Sequence, residues 1–277
     1  MCELHQPDVR RGRWAPTGWP TAVAALAAWC ALQPGVARAE HDMGAMSEAH
    51  SGGGSALSAG ISIEAARFDN VSYLGSHQGV TPSVSWTSSR FGVAAALGMY
   101  HLTKNGLSAY GIGDAMFTGH AAIITAGALD AGVALHMMVP TGSELKGFGM
   151  GHAMAMPSAW AAWQIRPVVI NASLGYSRAL VDLGGAEHNH GPAPLVDPMN
   201  MQELTWSGGA EVDAVGRIRI GGRVLGAMPI GTGTDRLIGA GRIAWGTPRL
   251  STSFEVQLGI VGDPFTVRGV VETALRF

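Results

Sequence analysis

The chain has 277 residues, of which 47% are hydrophobic and 14% are charged, and it contains 40 glycines. With 18 basic against 20 acidic side chains, it lacks the excess of positive charge that nucleic-acid binding requires, so no nucleic-acid partner is expected. Low charge and abundant glycine are also unusual for a soluble enzyme and suit short strands with small side chains at crowded positions.

The N-terminus predicts export. A basic patch at 10–13 precedes an apolar run at 19–32, and an A-x-A cleavage site follows at 37–39. The run is too short for a membrane-spanning helix, so these features predict a secretory signal peptide over 1–39. Both cysteines lie in this leader, and the mature chain is therefore predicted to contain no disulfide.

The segment 40–55 is predicted to be a flexible tail that is rich in histidine and methionine. Its candidate metal ligands are His41, Met43, Met46 and His50. Imidazole and thioether groups suit copper, and soft ligands select Cu(I). The alternative is a solvated tail without a bound metal.

From 56 to the end, apolar and polar residues alternate with a period of two, which indicates strands with one apolar and one polar face. The segments have the length of tilted membrane-spanning strands. The predicted strands are 57–69, 80–89, 91–101, 111–122, 127–139, 150–162, 166–177, 204–214, 216–226, 235–246, 248–261 and 265–277. The fold class expected is an all-β, antiparallel, up-and-down transmembrane barrel of about twelve strands, in contact with outer-membrane lipid.

Loop lengths agree with this fold. The expected connections near 90, 125, 164, 215 and 247 are tight, whereas most of those near 70–79, 102–110, 140–149, 178–203, 227–234 and 262–264 are longer. Short turns on the periplasmic side and longer loops outside are typical of outer-membrane barrels.

The strand phase places a set of soft side chains on the polar face of three consecutive strands. The predicted lumen-facing metal candidates are Met116, His120, His136, Met138, His152, Met154 and Met156. They form either a track for a soft metal such as copper or an adaptable apolar filling of a narrow lumen.

The same phase predicts a polar wall for the lumen, mostly in the C-terminal half. Its members are Asp114, Glu211, Asp213, Arg217, Arg219, Arg223, Arg242, Arg268 and Glu272. Because both signs of charge are present, no strong ion selectivity is expected.

The last strand, 265–277, has an apolar set of alternate residues and ends on Phe277. Such a strand resembles the closing strand of bacterial outer-membrane barrels. In that family the terminal Phe is read by the barrel-assembly machinery, which makes this machinery an expected partner.

Three motifs carry a family resemblance: Gly111-Ile112-Gly113-Asp114, Val139-Pro140-Thr141-Gly142-Ser143 and Gly147-Phe148-Gly149-Met150-Gly151. They resemble a family of outer-membrane transporters associated with the meta-pathway of phenol degradation. The similarity extends over about 57–277, and it implies transport of small aromatic or hydrophobic compounds.

The sequence thus predicts a channel or transporter for small solutes in the bacterial outer membrane, with no enzymatic activity. Two alternatives stay open, namely a protein that binds or handles copper, and a plugged structural or enzymatic barrel. No convincing arrangement of Ser, His and Asp supports a hydrolase.

Overall fold

The computed structural model describes residues 55–69, 74–180, 196, 199–262 and 265–277, which form one closed antiparallel barrel of twelve strands. The predicted leader and tail, including His41, Met43, Met46 and His50, lie outside the described residues. The strands are β1 (Ala56–Asp69), β2 (Leu74–Thr87), β3 (Phe91–Lys104), β4 (Leu107–Ala126), β5 (Leu129–Val139), β6 (Met154–Ile165), β7 (Val168–Ala179), β8 (Gln202–Asp213), β9 (Ile218–Pro229), β10 (Arg236–Gly246), β11 (Leu250–Val261) and β12 (Val267–Arg276).

Each strand pairs with its neighbours in sequence, and β12 closes the barrel against β1. Closure gives every strand a partner on both edges, which is the condition for a sheet in hydrocarbon. The prediction of an all-β up-and-down barrel is confirmed. Among the described residues, no helix is long and apolar enough to cross a membrane.

The two faces of the sheet differ as the alternation predicts. On β11, Phe254 and Leu258 are exposed on the outer face, while Glu255 and Gln257 are buried on the inner face. Exposed apolar side chains cover the outer face of the other strands as well. This apolar exterior around a closed sheet is the surface that a lipid bilayer requires, so the protein is a membrane-spanning β-barrel.

The connections separate into two kinds. The connections at 88–90, 127–128, 166–167, 214–217 and 247–249 define what we call the short-turn end. The opposite end, called the long-connection end, carries 140–153 and 180–201. Exposed aromatic residues lie at the short-turn end, among them Trp86, Trp163 and Trp245, in keeping with an interfacial girdle.

Several strand ends depart from the sequence prediction, and β2 begins at Leu74 instead of 80. The connection expected at 102–110 is a two-residue turn, in which Asn105 and Gly106 have φ of 46° and 83°. An Asn-Gly pair with two positive φ angles is the usual sequence of a tight hairpin turn, and β3 and β4 therefore extend to it. The start of β6 also differs, since it lies at Met154 instead of 150.

Candidate functional site

One side of the barrel interior is lined by paired charges carried by β8–β12, and we call it the charged wall. Glu211 is its centre at the short-turn end. Its Oε1 accepts a hydrogen bond from Arg242 Nη1 at 2.9 Å, and its Oε2 lies 3.6 Å from Arg219 Nη1. Arg219 Nε also donates to Asp213 Oδ1 at 3.0 Å. Two arginines thus share three carboxylate contacts, which largely balances their charge.

Midway along the charged wall, Arg223 Nη2 donates to Glu255 Oε1 at 2.7 Å. Gln257 donates to the same oxygen at 2.5 Å and accepts from Arg268 Nε at 2.8 Å. The Arg268 guanidinium lies 4.8 Å from the centroid of the Phe265 ring, a cation–π distance. These contacts connect β9, β11 and β12 through their side chains.

At the long-connection end of the charged wall, Glu203 is completely buried and pairs with Arg236 at 2.5 Å. Its other oxygen accepts from Asn200 Nδ2 at 2.7 Å. Asn200 Oδ1 in turn accepts from Thr234 N at 3.0 Å, so this carboxylate anchors the connection before β8 to the one before β10.

The opposite side of the interior, on β4–β6, is formed by sulfur-containing side chains. A cluster of seven methionines packs together with Ala179, and we call it the methionine cluster. Its members are Met116, Met138, Met150, Met154, Met156, Met199 and Met201. Met138, Met150 and Met154 are buried, at 5%, 2% and 0% exposure.

Sheet register explains part of the methionine cluster. Met116 on β4 is opposite Met138 on β5, which is in turn opposite Met154 on β6. Side chains directly opposite in an antiparallel pair have Cβ atoms about 4.5–5.5 Å apart, so these three form a continuous row across the wall.

The three histidines near the methionine cluster occupy different environments. His136 Nδ1 lies 3.0 Å from Thr118 Oγ1, and His136 is opposite Met156. His120 lies two residues beyond Thr118 on β4, toward the short-turn end. His152 is buried but does not lie on a strand, because β6 begins only at Met154.

The connection 140–153, which we call the inner connection, folds back against the barrel interior and is held by Asp114. The two oxygens of this carboxylate accept hydrogen bonds from Gly142 N at 2.9 Å and Met150 N at 2.8 Å. Thr141 Oγ1 donates to Gly113 O at 2.8 Å and accepts from Ala115 N at 2.9 Å. The sequence predicts Asp114 as part of the polar lumen wall, but the structure shows its carboxylate engaged by backbone N–H groups.

The inner connection also inserts Phe148 into an apolar cluster near the long-connection end. Phe148 is buried with residues from the strands and from other connections, namely Ala66, Phe68, Tyr100, Leu102, Val196 and Phe265. A Cβ atom on Gly111 would lie 2.4 Å from the Phe148 ring, and one on Gly149 would lie 2.3 Å from Asp114 Oδ1. Glycine at these two positions is therefore required by close approach.

The three motifs of the sequence resemblance are thus one contact unit. Gly111 and Asp114 come from the first motif, Thr141 and Gly142 from the second, and Phe148 from the third. They fix the inner connection to the wall, which is a structural task.

Two other predicted lumen-lining residues, Arg217 and Glu272, take no part in the ion pairs described above. Arg217 is exposed in the turn 214–217 and not on the wall, because β9 begins at Ile218. Glu272 accepts a weak hydrogen bond from Ser253 at 3.4 Å on the inner face of β12.

The sequence pattern does not predict several of the paired residues in the barrel interior. Glu203, Arg236 and Glu255 belong to alternating strands, but only the cross-strand register shows their pairing. The buried Glu64–His77 contact, at 3.4 Å between β1 and β2, is another case. Among the described residues, no group of three His, Cys, Asp or Glu side chains is arranged to hold a metal ion.

Solved structures with the same fold are outer-membrane proteins. The COG4313 outer membrane channel from Pseudomonas putida F1 aligns with a TM-score of 0.59 and 9% identity, over 87% of this chain and 100% of that one. The KdgM porin aligns with a TM-score of 0.51 and 9% identity, over 78% and 99%. The translocator domain of the autotransporter NalP from Neisseria meningitidis aligns at 0.50 and 14%, over 95% and 100%.

No protein-family model matches the chain, and no curated protein does. At these identities the similarity defines the class by fold alone: an outer-membrane β-barrel of the architecture found in channels, porins and autotransporter translocators.

Proposed function

We propose that the protein is an outer-membrane channel through which small solutes cross along the charged wall. The observation that carries this proposal is the extent of the ion pairs. They run from Glu203–Arg236 at the long-connection end, through Arg223–Glu255, to Arg219–Asp213 at the short-turn end. The carboxylates of Glu203 and Glu255 are buried, but Arg236, Arg223 and Arg219 keep 15%, 19% and 24% of their side chains exposed. Partly accessible charged groups favour water over hydrocarbon, which solute passage needs.

We infer that the inner connection narrows the proposed path. A twelve-stranded barrel is not wide, and side chains largely decide whether it conducts. The inner connection adds Phe148 and Met150 to the interior. We infer that passage is limited to small molecules and that displacement of the inner connection widens the path.

We infer the class of solute from the apolar cluster that surrounds Phe148. Phe68, Tyr100 and Phe148 pack together near the long-connection end. They are buried, at 0%, 7% and 3% exposure, so they would line the path only when the inner connection is displaced. Small aromatic or hydrophobic compounds suit such a surface, and the resemblance to the transporters linked to phenol degradation suggests the same class.

Planar-bilayer conductance of the purified full-length protein tests the channel. The wild type is expected to conduct weakly, and Asp114→Ala is expected to conduct more, because it removes both acceptors that hold Gly142 N and Met150 N. Asp130→Ala is the matched control: it removes another interior carboxylate, whose partner is Gln164, and leaves the inner connection in place.

If neither the wild type nor Asp114→Ala conducts or passes solute, although both are folded, the channel proposal is wrong and the barrel is a plug. Folding is checked by heat-dependent migration in gels. For the solute class, benzoate and gluconate are compared in liposome swelling, since they carry equal charge. Equal swelling rates with benzoate and gluconate would show that the channel has no preference for aromatic solutes.

A role in handling a soft metal is the second candidate, and the methionine cluster is the observation that favours it.

We propose no enzymatic activity, since the interior charges are engaged in pairing with one another.

A further inference from the structure

We propose that the methionine cluster binds a monovalent soft metal ion, Cu(I) or Ag(I), through the thioether sulfurs of Met116, Met138, Met150 and Met154. This site is separate from the charged wall and does not depend on whether the barrel conducts. Thioethers are neutral soft donors that select Cu(I) over harder cations.

The first support is the composition of the cluster. The described part of the chain contains ten methionines, and seven of them belong to this one cluster. Its other described member is Ala179; no leucine, isoleucine or valine packs there. The same chain uses those residues freely on its outer face, for example at Leu135, Ile243 and Val256.

Packing alone does not explain this choice. Leucine and methionine have similar volumes and exchange in protein cores at a cost usually below about 1.5 kcal/mol. A wall that needed only apolar filling would therefore be expected to mix the two. Using sulfur at every large position is instead what a thioether ligand set would require.

The second support is the geometry. Met116, Met138 and Met154 form a lateral row on adjacent strands, and Met150 approaches from the inner connection. Methionine is unbranched and has three rotatable bonds in its side chain, so four sulfurs anchored from two directions can converge on one ion. Burial of three of the four excludes competing water.

The third support is charge compensation. A cation placed in a dry interior needs a nearby negative charge. The Asp114 carboxylate accepts a hydrogen bond from the backbone N–H of Met150, 2.8 Å away, and so lies beside the segment that carries one ligand. A monovalent ion matches this single carboxylate better than a divalent one does.

The absence of any group of three His, Cys, Asp or Glu metal ligands among the described residues predicts the selectivity. Zn(II) prefers imidazole, thiolate and carboxylate donors, so it should not compete.

Cu(I) binding to the full-length protein, measured under anaerobic conditions against a chromophoric Cu(I) chelator, tests the site. In all samples the tail ligands are removed by His41→Ala, Met43→Leu, Met46→Leu and His50→Ala, so that the tail cannot contribute. The expected result is one equivalent of Cu(I) per chain, unaffected by excess Zn(II).

Met138→Leu combined with Met154→Leu should weaken this binding by at least about tenfold, the scale seen when a metal site loses a supporting group. The matched control is Met99→Leu combined with Met228→Leu, since both of these methionines are exposed on the outer face. The control should bind like the parent. Equal affinity in the two double variants, or no binding by the parent, would overturn the proposal.

X-ray absorption of the copper-loaded parent gives a second readout that needs no interior substitution. Sulfur scattering around copper is expected. A first shell of nitrogen and oxygen alone would contradict thioether ligation even if the interior double variant failed to fold.

Discussion

The charged wall and the methionine cluster line the same barrel, but they fill it in opposite ways. On the charged wall, arginines and carboxylates from strands far apart in sequence neutralise each other, as Arg242 and Glu211 do at 2.9 Å. At the methionine cluster, neutral side chains on neighbouring strands exclude water. The outer faces of both regions are alike, because both contact lipid.

The comparison shows that contact with lipid requires apolar side chains over the whole outer surface. The interior does not contact lipid, so its side chains can differ from one region to another and serve separate functions. A hydrated, ion-paired surface suits solute passage, and a dry thioether surface suits a soft ligand. Substitutions in the two regions should therefore have effects of different size and kind.

The largest change in stability is expected for Glu203→Gln on the charged wall. Glu203 is fully buried and bonded to Arg236 and Asn200, so the substitution leaves a mostly buried guanidinium without its charged partner. Breaking a buried pair in this way costs about 3–5 kcal/mol. Urea unfolding of the protein in lipid vesicles measures it.

Asp213→Asn is the control for Glu203→Gln. Asp213 also pairs with an arginine, but its side chain is 52% exposed, and a solvated pair is worth about 0–1 kcal/mol. Equal losses for the two substitutions would show that burial does not distinguish the two ends of the charged wall.

An intermediate effect is expected for Gly149→Ala, between the two regions. The added Cβ would lie 2.3 Å from Asp114 Oδ1, so either the Asp114 carboxylate or the inner connection must shift, and the hydrogen bonds between them weaken. Overpacking of this kind costs about 1–3 kcal/mol, and bilayer conductance should rise as well. Gly119→Ala adds the same methyl group where no atom lies within 4 Å and should change neither quantity.

A smaller effect on stability is expected for Met138→Leu in the methionine cluster, below about 1.5 kcal/mol because the volume is conserved. The same substitution should weaken Cu(I) binding. A large loss of stability without any change in Cu(I) affinity would mean that the methionines serve packing alone.

The smallest effect on unfolding is expected for Phe277→Ala, outside both regions. Phe277 is 70% exposed on the outer face, so its removal costs the folded barrel little. If the barrel-assembly machinery reads this residue, the amount of folded protein in the outer membrane should fall while urea unfolding of the purified barrel stays unchanged. An unchanged amount of folded protein in the outer membrane would show that the barrel-assembly machinery does not read Phe277.

The strands could be predicted because lipid outside and polar groups inside impose a strict alternation. All twelve predicted segments overlap a strand, and the faces of β11 are as expected. The errors are local. The tight Asn105-Gly106 turn replaces the longer connection expected at 102–110, and Arg217 lies in the 214–217 turn instead of on β9.

The interior could be predicted only in part. Alternation gives the side of the sheet for Met138 or Glu255, but not the partner across the barrel. Arg223 and Glu255 are 32 residues apart, and Met150 joins the cluster through the folded path of the inner connection. Such contacts depend on register and on loop conformation, which no local pattern encodes.

The most direct test of the central claim, that the charged wall lines a conducting path, is the reversal potential of Glu211→Gln in a planar bilayer under a KCl gradient. The substitution removes the carboxylate shared by Arg242 and Arg219, so the wall becomes more positive. We predict a shift of the reversal potential toward anion selectivity relative to the wild type. A reversal potential identical to that of the wild type, with conductance intact, would contradict the account.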